Sequence, residues 1–562
     1  MLLILSARAV GEDIAMHYGR LPPSFLPLGA RRLFALQAEL AAPGEAVALT
    51  LARDFDLSDV DARALDAAGV AVVRQDPGLS LAGAIADALR ALAPRMAPGE
   101  GLRLLYGDTL VGLPEGAAVT DGAADGTGWD DRVAVQASTA NYQWAYLRDD
   151  WEAGSDGSDG AGPFSDTPPE RLAARRVVCG YYAFSDPAAL RDACEAADRD
   201  ARGSIVAALN AYHAVRPLAP LDVADWFDFG HLPLYFQSKQ RIMVARAFND
   251  LSYERHTLVK RSADTAKMRA EAMWYEALPP ALALHAPRYH GRVERDHRAG
   301  YAVEYLYHPL LSDLAAFGRL PLPSWLEILA ACLDLADLAH ARRPDPGAPE
   351  ASAGFARAFF ERLLVDKTWD RLTAYLDGAG MGLDDRVALD GARLPPIREM
   401  VARAIAAVPP TTPDHVRFWH GDLFYGNLFY DFTARRVLAI DPRGLGPDGQ
   451  PCLWGDWRYD VAKLAHSVIG QYDRIILGRV RLHEDGPAEW RLEMSEQPHQ
   501  AALEEIFLSQ MAERRGIGRD ELTGLTALLF FSMLPLHAER PDLQRMMLAN
   551  ALRLSAQIGA AP

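Results

Sequence analysis

His420, Gly421 and Asp422 stand together in this chain, Asn427 follows five residues after the aspartate, and Asp441 closes the run FWHGDLFYGNLFYDFTARRVLAIDPRG. Two carboxylates, an amide and a histidine at this spacing suit phosphoryl transfer. One Asp can orient or deprotonate an attacking hydroxyl, while an Asn and a second Asp hold Mg²⁺ against nucleotide phosphates. The protein contributes little covalent chemistry to such a step, so placement of these groups is the mechanism.

The flanks are built to place them. His415–Trp419 (HVRFW) reads as a short buried strand ending at the motif. Leu428–Tyr430 and Val437–Ile440 read as a hairpin with its turn at Thr433–Arg436. Asp422 and Asn427 then share a loop, and Asp441 faces them from the end of the second strand. The full pattern H-G-D-x4-N-x13-D on two apolar strands is far more specific than H-G-D alone, which a turn-capping Asp would also explain.

HGDLFYGN followed by AID resembles the catalytic and metal loops of the aminoglycoside phosphotransferase and choline kinase superfamily. The resemblance implies an α+β protein-kinase-like fold, with Asp422 as catalytic base, Asn427 and Asp441 as Mg²⁺ ligands, and His420 as a structural member of the loop. It also implies ATP as phosphoryl donor. Where the family often continues with an apolar-acidic pair, this chain has Pro442-Arg443-Gly444. Arg443 is thereby free to meet a phosphate or an acidic substrate, and drug-type aminoglycosides are disfavoured. No H-R-D segment is present, which argues against a protein kinase.

Such a kinase needs a strand lysine for the α- and β-phosphates, held by a helix glutamate. His256–Lys260 (HTLVK) is the strand expected to end in that lysine. Ala263–Leu278 is a strong helix former, with Ser262 or Asp264 as N-cap and Glu271 on it. Lys260 with Glu271 is the expected pair, with Glu276 as the alternative partner. The plain structural reading is a solvated Lys260 and a Glu271 paired to Lys267 one turn away. Arg241–Leu251 is expected as the first strand and turn over the nucleotide. It has no glycine, so Phe248 and Asn249 would cover the phosphates. Val303–Leu306 is expected between the lobes, where Glu304 and Leu306 could meet the adenine. Trp454 and Trp457 are candidates to line an acceptor pocket, as aromatic walls for a sugar or a quaternary amine, or simply packing residues. Asp460 is expected to cap the helix that follows. Helical periodicity at Pro323–Ala341 and Leu522–Leu554 fits a helical lobe.

The first half has a different rhythm. Leu2–Leu5, Val47–Leu49, Val70–Val73 and Leu102–Leu105 are short apolar runs separated by helical stretches such as Leu33–Leu40 and Leu79–Leu92. That alternation predicts a parallel α/β sheet, whose ligands gather at the carboxyl ends of the strands. Asp108 falls just past the fourth run, and Asp228 sits far downstream in the aromatic turn DWFDFGH. Two carboxylates brought together from distant segments suit a Mg²⁺ ion bridging nucleotide phosphates.

GDTL, VVCGYYAFSDPAAL and WFDFGHLPLYFQSK resemble segments of the nucleotidyltransferases that make sugar nucleotides and CDP-alcohols, over about Met1 to Lys239. The resemblance implies a Rossmann-like mixed sheet with helices on both faces, Asp108 and Asp228 as metal ligands, and a second NTP (CTP, UTP or GTP). The chain departs from that pattern. His231 stands where Thr is usual, Ser6–Gly11 has one glycine in place of a Gly-rich loop, and Pro23-Ser24 replaces Lys-Pro. A cation is needed at the α-phosphate, and Arg8, Arg20, Arg31 and Arg32 are the substitutes in reach.

At 562 residues the chain exceeds one core. The expected division is a nucleotidyltransferase-like domain over 1–239 and a kinase-like domain over 240–562, its small lobe at about 240–308 and its helical lobe at about 309–562. A formal net charge of −17 argues against nucleic acid as a partner. Four cysteines without metal spacing, no signal sequence and no membrane-length apolar run fit a cytoplasmic protein. The Gly/Ser/Asp/Pro-rich run 152–170 reads as an acidic loop inserted in the first domain. The expected function is bifunctional. A small hydroxyl compound, a sugar or amino alcohol, is phosphorylated with ATP, and the phosphate is then activated with an NTP. The layout resembles bacterial capsular polysaccharide biosynthesis fusion proteins. The alternative is a small-molecule kinase whose first domain is non-catalytic or glycosyltransferase-like.

Overall fold

Leu2, Leu3 and Ile4 are successive strand residues and all are fully buried, so the first strand is covered on both faces. The computed structural model describes residues 1–113, 130–140, 142–148, 162–168, 174–246, 251–254, 256–295, 298–486, 488–494 and 499–559. The chain divides into two units, Met1–Arg241 and Ile242–Pro562.

In the first unit, Leu2–Leu5 lies between Val47–Ala52 and Leu102–Tyr106, parallel to both, and Val70–Gln75 extends the parallel set. Arg175–Phe184 pairs antiparallel with Leu102–Tyr106, so the nine-stranded sheet is mixed. Helices Leu81–Leu92, Pro187–Asp200 and Ile205–Val215 pack into one core with Leu3, Leu102 and Leu104. The first of these begins two residues later than the apolar run, because the Ser80 side chain accepts from the Gly83 N–H and ends the loop there. Tyr146–Leu147 and Phe164–Ser165 pair antiparallel. Phe164–Ser165 belongs to the acidic run 152–170, the rest of which lies outside the described residues except for 162–163 and 166–168.

The second unit opens with a four-stranded antiparallel sheet, in the order Leu251–Glu254, Thr257–Ser262, Arg298–Glu304 and Tyr289–Arg295. Helix Thr265–Glu276 packs on it, capped by Asp264, whose side chain accepts from the Lys267 N–H. Helices including Leu322–His340, Lys367–Ala379, Trp457–Val468 and Arg519–Met533 follow. The periodic run 522–554 is two helices rather than one, because Pro535 interrupts it at the 3₁₀ turn Leu534–His537. The hairpin forms as Leu428–Asp431 against Arg436–Ala439, turning through Arg435 at positive φ.

One expectation for this unit is corrected. The run from Arg241 does not begin the first strand. Arg241 to Arg246 finish a helix, Leu232–Arg246, and the strand starts at Leu251. Phe248 and Asn249 lie outside the described residues. Val416–Phe418 joins Trp454–Asp456 in its own antiparallel pair. Among the described residues no helix is long and apolar enough to cross a membrane. The four cysteines are buried and unpaired.

Candidate active sites

Lys260 lies inside its strand rather than at its end, which points its ammonium at the neighbouring helix. Its Nζ sits 2.9 Å from Glu271 Oε2 and 3.0 Å from Asp441 Oδ1. Tyr301, directly opposite Lys260 in the sheet, donates its hydroxyl to Glu271 at 2.8 Å and lies 3.3 Å from Asp441. Burial alone would lower the Lys260 ammonium, but Asp441 and Glu271 outweigh it and hold it above its ordinary value. Glu271 is pushed up by burial against the pull of Lys260. Lys267 also approaches Glu271, at 3.8 Å from a helix turn away. Glu276 is not the partner, because Arg292 and Tyr289 take its carboxylate.

The H-G-D loop is held by hydrogen bonds to its own backbone. His420 Nδ1 accepts from the Asp422 N–H at 3.2 Å, and Nε2 faces the Ile440 carbonyl at 3.0 Å. Burial holds this ring below its ordinary pKa, so the neutral tautomer with its proton on Nε2 ties the loop to the strand leading into Asp441. The helix cap expected at Asp460 is instead Asp456. One turn into the helix, Asp460 accepts the N–H groups of His420 at 2.8 Å and Gly421 at 2.6 Å, with His340 Nε2 at 3.2 Å. Gly421 has φ +79, and a Cβ there would stand 2.6 Å from that of Arg443.

Asn427 donates to both the backbone carbonyl and the carboxylate of Asp422, at 2.9 and 3.0 Å. Its side-chain oxygen Oδ1 has no donor among the described residues, as a metal ligand requires, while its backbone carbonyl accepts from the Ile440 N–H at 2.9 Å. Lys463 places Nζ 2.9 Å from Asp422 Oδ1. Burial raises the Asp422 carboxyl, but Lys463, His420 and Arg443 outweigh it and leave it below the ordinary carboxylate range. Asp422 is therefore ionised beside Asn427. Lys463 is absent from the residues that sequence pattern points to. The signal that could have found it is the Y-D-x-x-K spacing, which sets Tyr459 and Lys463 one turn apart on one helix face.

Arg443 lies against the loop, its guanidinium 5.9 Å over the Trp419 ring and its Nε donating to the Leu445 carbonyl. The two expected acceptor-pocket tryptophans pack elsewhere. Trp454 meets Phe418 edge-on, and Trp457 is covered by Arg515 at 5.0 Å and by His340. The aromatic rings at Lys463 are Phe424 and Tyr459. Glu304 and Leu306 line a cavity of about 500 Å³ with Tyr275, Tyr289 and Leu438.

In the first unit a cavity of about 800 Å³ opens at the carboxyl ends of the parallel strands, bounded by Leu5, Thr50, Gln75 and Asp108 among others. Thr109–Gly112 returns from the Asp108 turn and pairs antiparallel with Asp225–Asp228, so both aspartates reach the same wall. A Cβ on Gly230 would stand 2.6 Å from Asp108 Oδ2 and 3.3 Å from Asp228 Oδ1, so only glycine fits between them. Burial, then the charge of Asp228, pushes the Asp108 carboxyl up to about 6. Asp228 is held by the Trp144 indole N–H at 3.0 Å and the Gly230 N–H at 2.7 Å, with His231 Nδ1 3.5 Å away. Two carboxylates that repel each other in a partly closed cavity fit a divalent cation. Among the described residues no three His, Cys, Asp or Glu side chains group as a metal site.

Of the four arginines considered for the missing lysine, Arg8 alone lines this cavity. Arg32 is buried against Asp61, Arg31 pairs with Glu39, and Arg20 is not part of the wall. Ser24, at the Lys-Pro position, is buried and donates to the Gly107 carbonyl.

No family model matches the chain, and no curated protein matches it. Solved structures similar to part of it include an aminoglycoside-3'-phosphotransferase of type VIII, at 15% identity over 49% of this chain and 84% of that one, TM-score 0.30. Another is a thermostable mutant of aminoglycoside phosphotransferase APH(4)-Ia in a ternary complex with AMP-PNP and hygromycin B, at 12% identity over 57% and 99%, TM-score 0.32. A third is the inositol-1-phosphate CTP transferase from T. maritima, at 11% identity over 43% and 95%, TM-score 0.31. Of these three, two are phosphotransferases and one is a CTP transferase. The sheets themselves define an α/β unit with a mixed sheet and an α+β unit of kinase-like layout.

Proposed function

We propose that the second unit transfers the γ-phosphoryl group of ATP to the hydroxyl of a small molecule. The observation that carries this is the pairing of two sets, Lys260–Glu271–Asp441 and Asp422–Asn427–Lys463, on strands and loops joined by His420. Asp422 takes the hydroxyl proton as the acceptor oxygen attacks the γ-phosphorus. The new O–P bond forms as the bond to the β,γ-bridging oxygen breaks, and ADP leaves. Lys260 is placed for the α- and β-phosphates, and Asn427 and Asp441 are the residues that would hold Mg²⁺, which neutralises phosphate charge when bound.

For the first unit the reading is nucleotidyl transfer to a phosphorylated sugar or amino alcohol, with Asp108 and Asp228 holding the metal and pyrophosphate released. The joined product would be an activated building block for a surface polysaccharide. A second reading has its own observation. Among the described residues, Arg8 is the one Lys or Arg in a wall that carries Asp76, Asp108, Asp166 and Asp228. That balance suits a glycosyltransferase-like or binding role as well.

The test is ADP and pyrophosphate release with Mg²⁺-ATP, a set of NTPs, and choline, ethanolamine, glycerol, hexoses, hexosamines and heptoses. Asp422→Ala and Asp441→Asn are expected to abolish ADP release and, once the acceptor is supplied as its phosphate ester, to spare pyrophosphate release, and Asp108→Asn to do the reverse. Full ADP release by Asp422→Ala would overturn the kinase reading. Pyrophosphate release absent with every NTP would leave the second reading of the first unit.

A further inference from the structure

We infer that the hydroxyl acceptor carries an anionic group, a carboxylate or a phosphate, bound by Lys367, Arg371 and Arg443 beside Asp422. The inference rests on the kinase reading and names the substrate class of that site.

Lys367 and Arg371 stand one turn apart on the helix Lys367–Ala379, which starts directly after the π-helical segment Phe359–Asp366. A π-helix is an uncommon feature that recurs at functional sites. Tyr459 and Lys463 stand one turn apart on Trp457–Val468, and Arg443 comes from the loop after Asp441. These segments converge on Tyr459, a side chain only 3% exposed: Lys463 Nζ stands 6.0 Å over its ring, the Trp419 ring beneath Arg443 lies 5.7 Å from it, and Phe359, at the start of the helical run that carries Lys367 and Arg371, packs edge-on against it at 6.2 Å. Burial raises that phenol, yet Lys367, Lys463 and Arg443 together bring it down to about 8. Lys367 is stabilised by Tyr459, but burial and the charges of Arg443, Arg371 and Lys463 leave it below its ordinary value. Arg371 is lowered in turn by burial and by Arg443.

Among the described residues, only one of the four cations has a carboxylate partner, Lys463 with Asp422. Arg371 donates to the Ser532 carbonyl and Arg443 to that of Leu445, and Lys367 has no carboxylate partner among those residues. Like charges gathered in a partly buried place repel one another and are retained where an anion offsets them. Arginine and lysine together match the planar carboxylate and the tetrahedral phosphate alike. An anion held there would bring a neighbouring hydroxyl to Asp422 and turn a freely tumbling acceptor into an oriented one.

The experiment uses the full chain with Mg²⁺-ATP and matched acceptors: glycerol, glycerate and glycerol 3-phosphate; glucose, glucuronate and glucose 6-phosphate. An anionic member is expected to exceed its neutral counterpart by about tenfold or more in kcat/KM, the loss of one charged contact. Lys367→Met is expected to raise the KM for that acceptor by about tenfold while the KM for ATP stays within about twofold, and Lys367→Arg to recover most of it. A second readout needs no turnover. With Mg²⁺-ADP bound, the tyrosinate absorbance lost in Tyr459→Phe reports the phenol that titrates near 8, and inorganic phosphate is expected to move that titration upward in the wild type but not in Lys367→Met. Preference for neutral acceptors, an unchanged preference in Lys367→Met, or a Tyr459 titration indifferent to phosphate overturns the inference. If no acceptor in the set turns over, the titration decides it. The kinase reading fails by a different result, ADP release that survives Asp441→Asn.

Discussion

Lys463 holds its ammonium 2.9 Å from the Asp422 carboxylate, on a helix that also supplies the Asp460 bonds to the loop carrying Asp422. One helix thus sets both the position and the ionisation of Asp422. Lys463→Met removes the leading attraction that lowers Asp422 and leaves burial to raise it. The acid limb of the kcat profile is expected to move up by about one pH unit or more, with kcat down by roughly 10²-fold. An acid limb that stays in place would separate Lys463 from the base.

Asp460 makes its bonds while 1% exposed. Asp460→Ala leaves the His420 and Gly421 N–H groups without their acceptor. Two charge-assisted bonds of this kind are worth roughly 3 to 5 kcal/mol together, so a loss of that size in denaturant unfolding of the second unit is expected, together with a fall in kcat. Wild-type stability in this variant would mean the loop holds itself.

Glu271 is 1% exposed, and Lys260 is its charge partner. Lys260→Met strands a buried carboxylate and is expected to destabilise the unit by about 3 kcal/mol. Lys260→Met with Glu271→Leu removes both charges and should regain most of that stability while remaining unable to use ATP. Recovery of ATP turnover in the double variant would show that the pair serves structure alone.

Asp108 titrates at about 6 in the folded chain, against 3.8 for an ordinary aspartate carboxyl. Its folded value is raised, so its contribution is fully present below the unfolded value and is lost as pH rises through about 6. In EDTA, the wild type is expected to lose on the order of 2 kcal/mol relative to Asp108→Asn as pH rises from about 4 to about 7. Mg²⁺ should return part of that loss in the wild type and none in the variant. Melting curves that run parallel across this range, with and without Mg²⁺, would rule out a cation site at Asp108 and Asp228.

The sequence by itself determined what depends on near neighbours. The spacing of Asp422, Asn427 and Asp441, the hairpin between them, the parallel apolar strands of the first unit and the Lys260–Glu271 offset are all set by short-range periodicity and turn chemistry. Tertiary structure decided which polar groups are already engaged, because that depends on segments far apart in the chain. Arg32 is taken up by Asp61 while Arg8 faces a cavity. Trp457 is covered by Arg515, so Tyr459 and not Trp457 stands near Asp422. Asp456 caps the helix, which leaves Asp460 for the His420–Gly421 backbone. Lys367 and Arg443, 76 positions apart, share one phenol only because a helix, a loop and a second helix converge there. Local pattern supplies the groups, and long-range packing assigns each its partner.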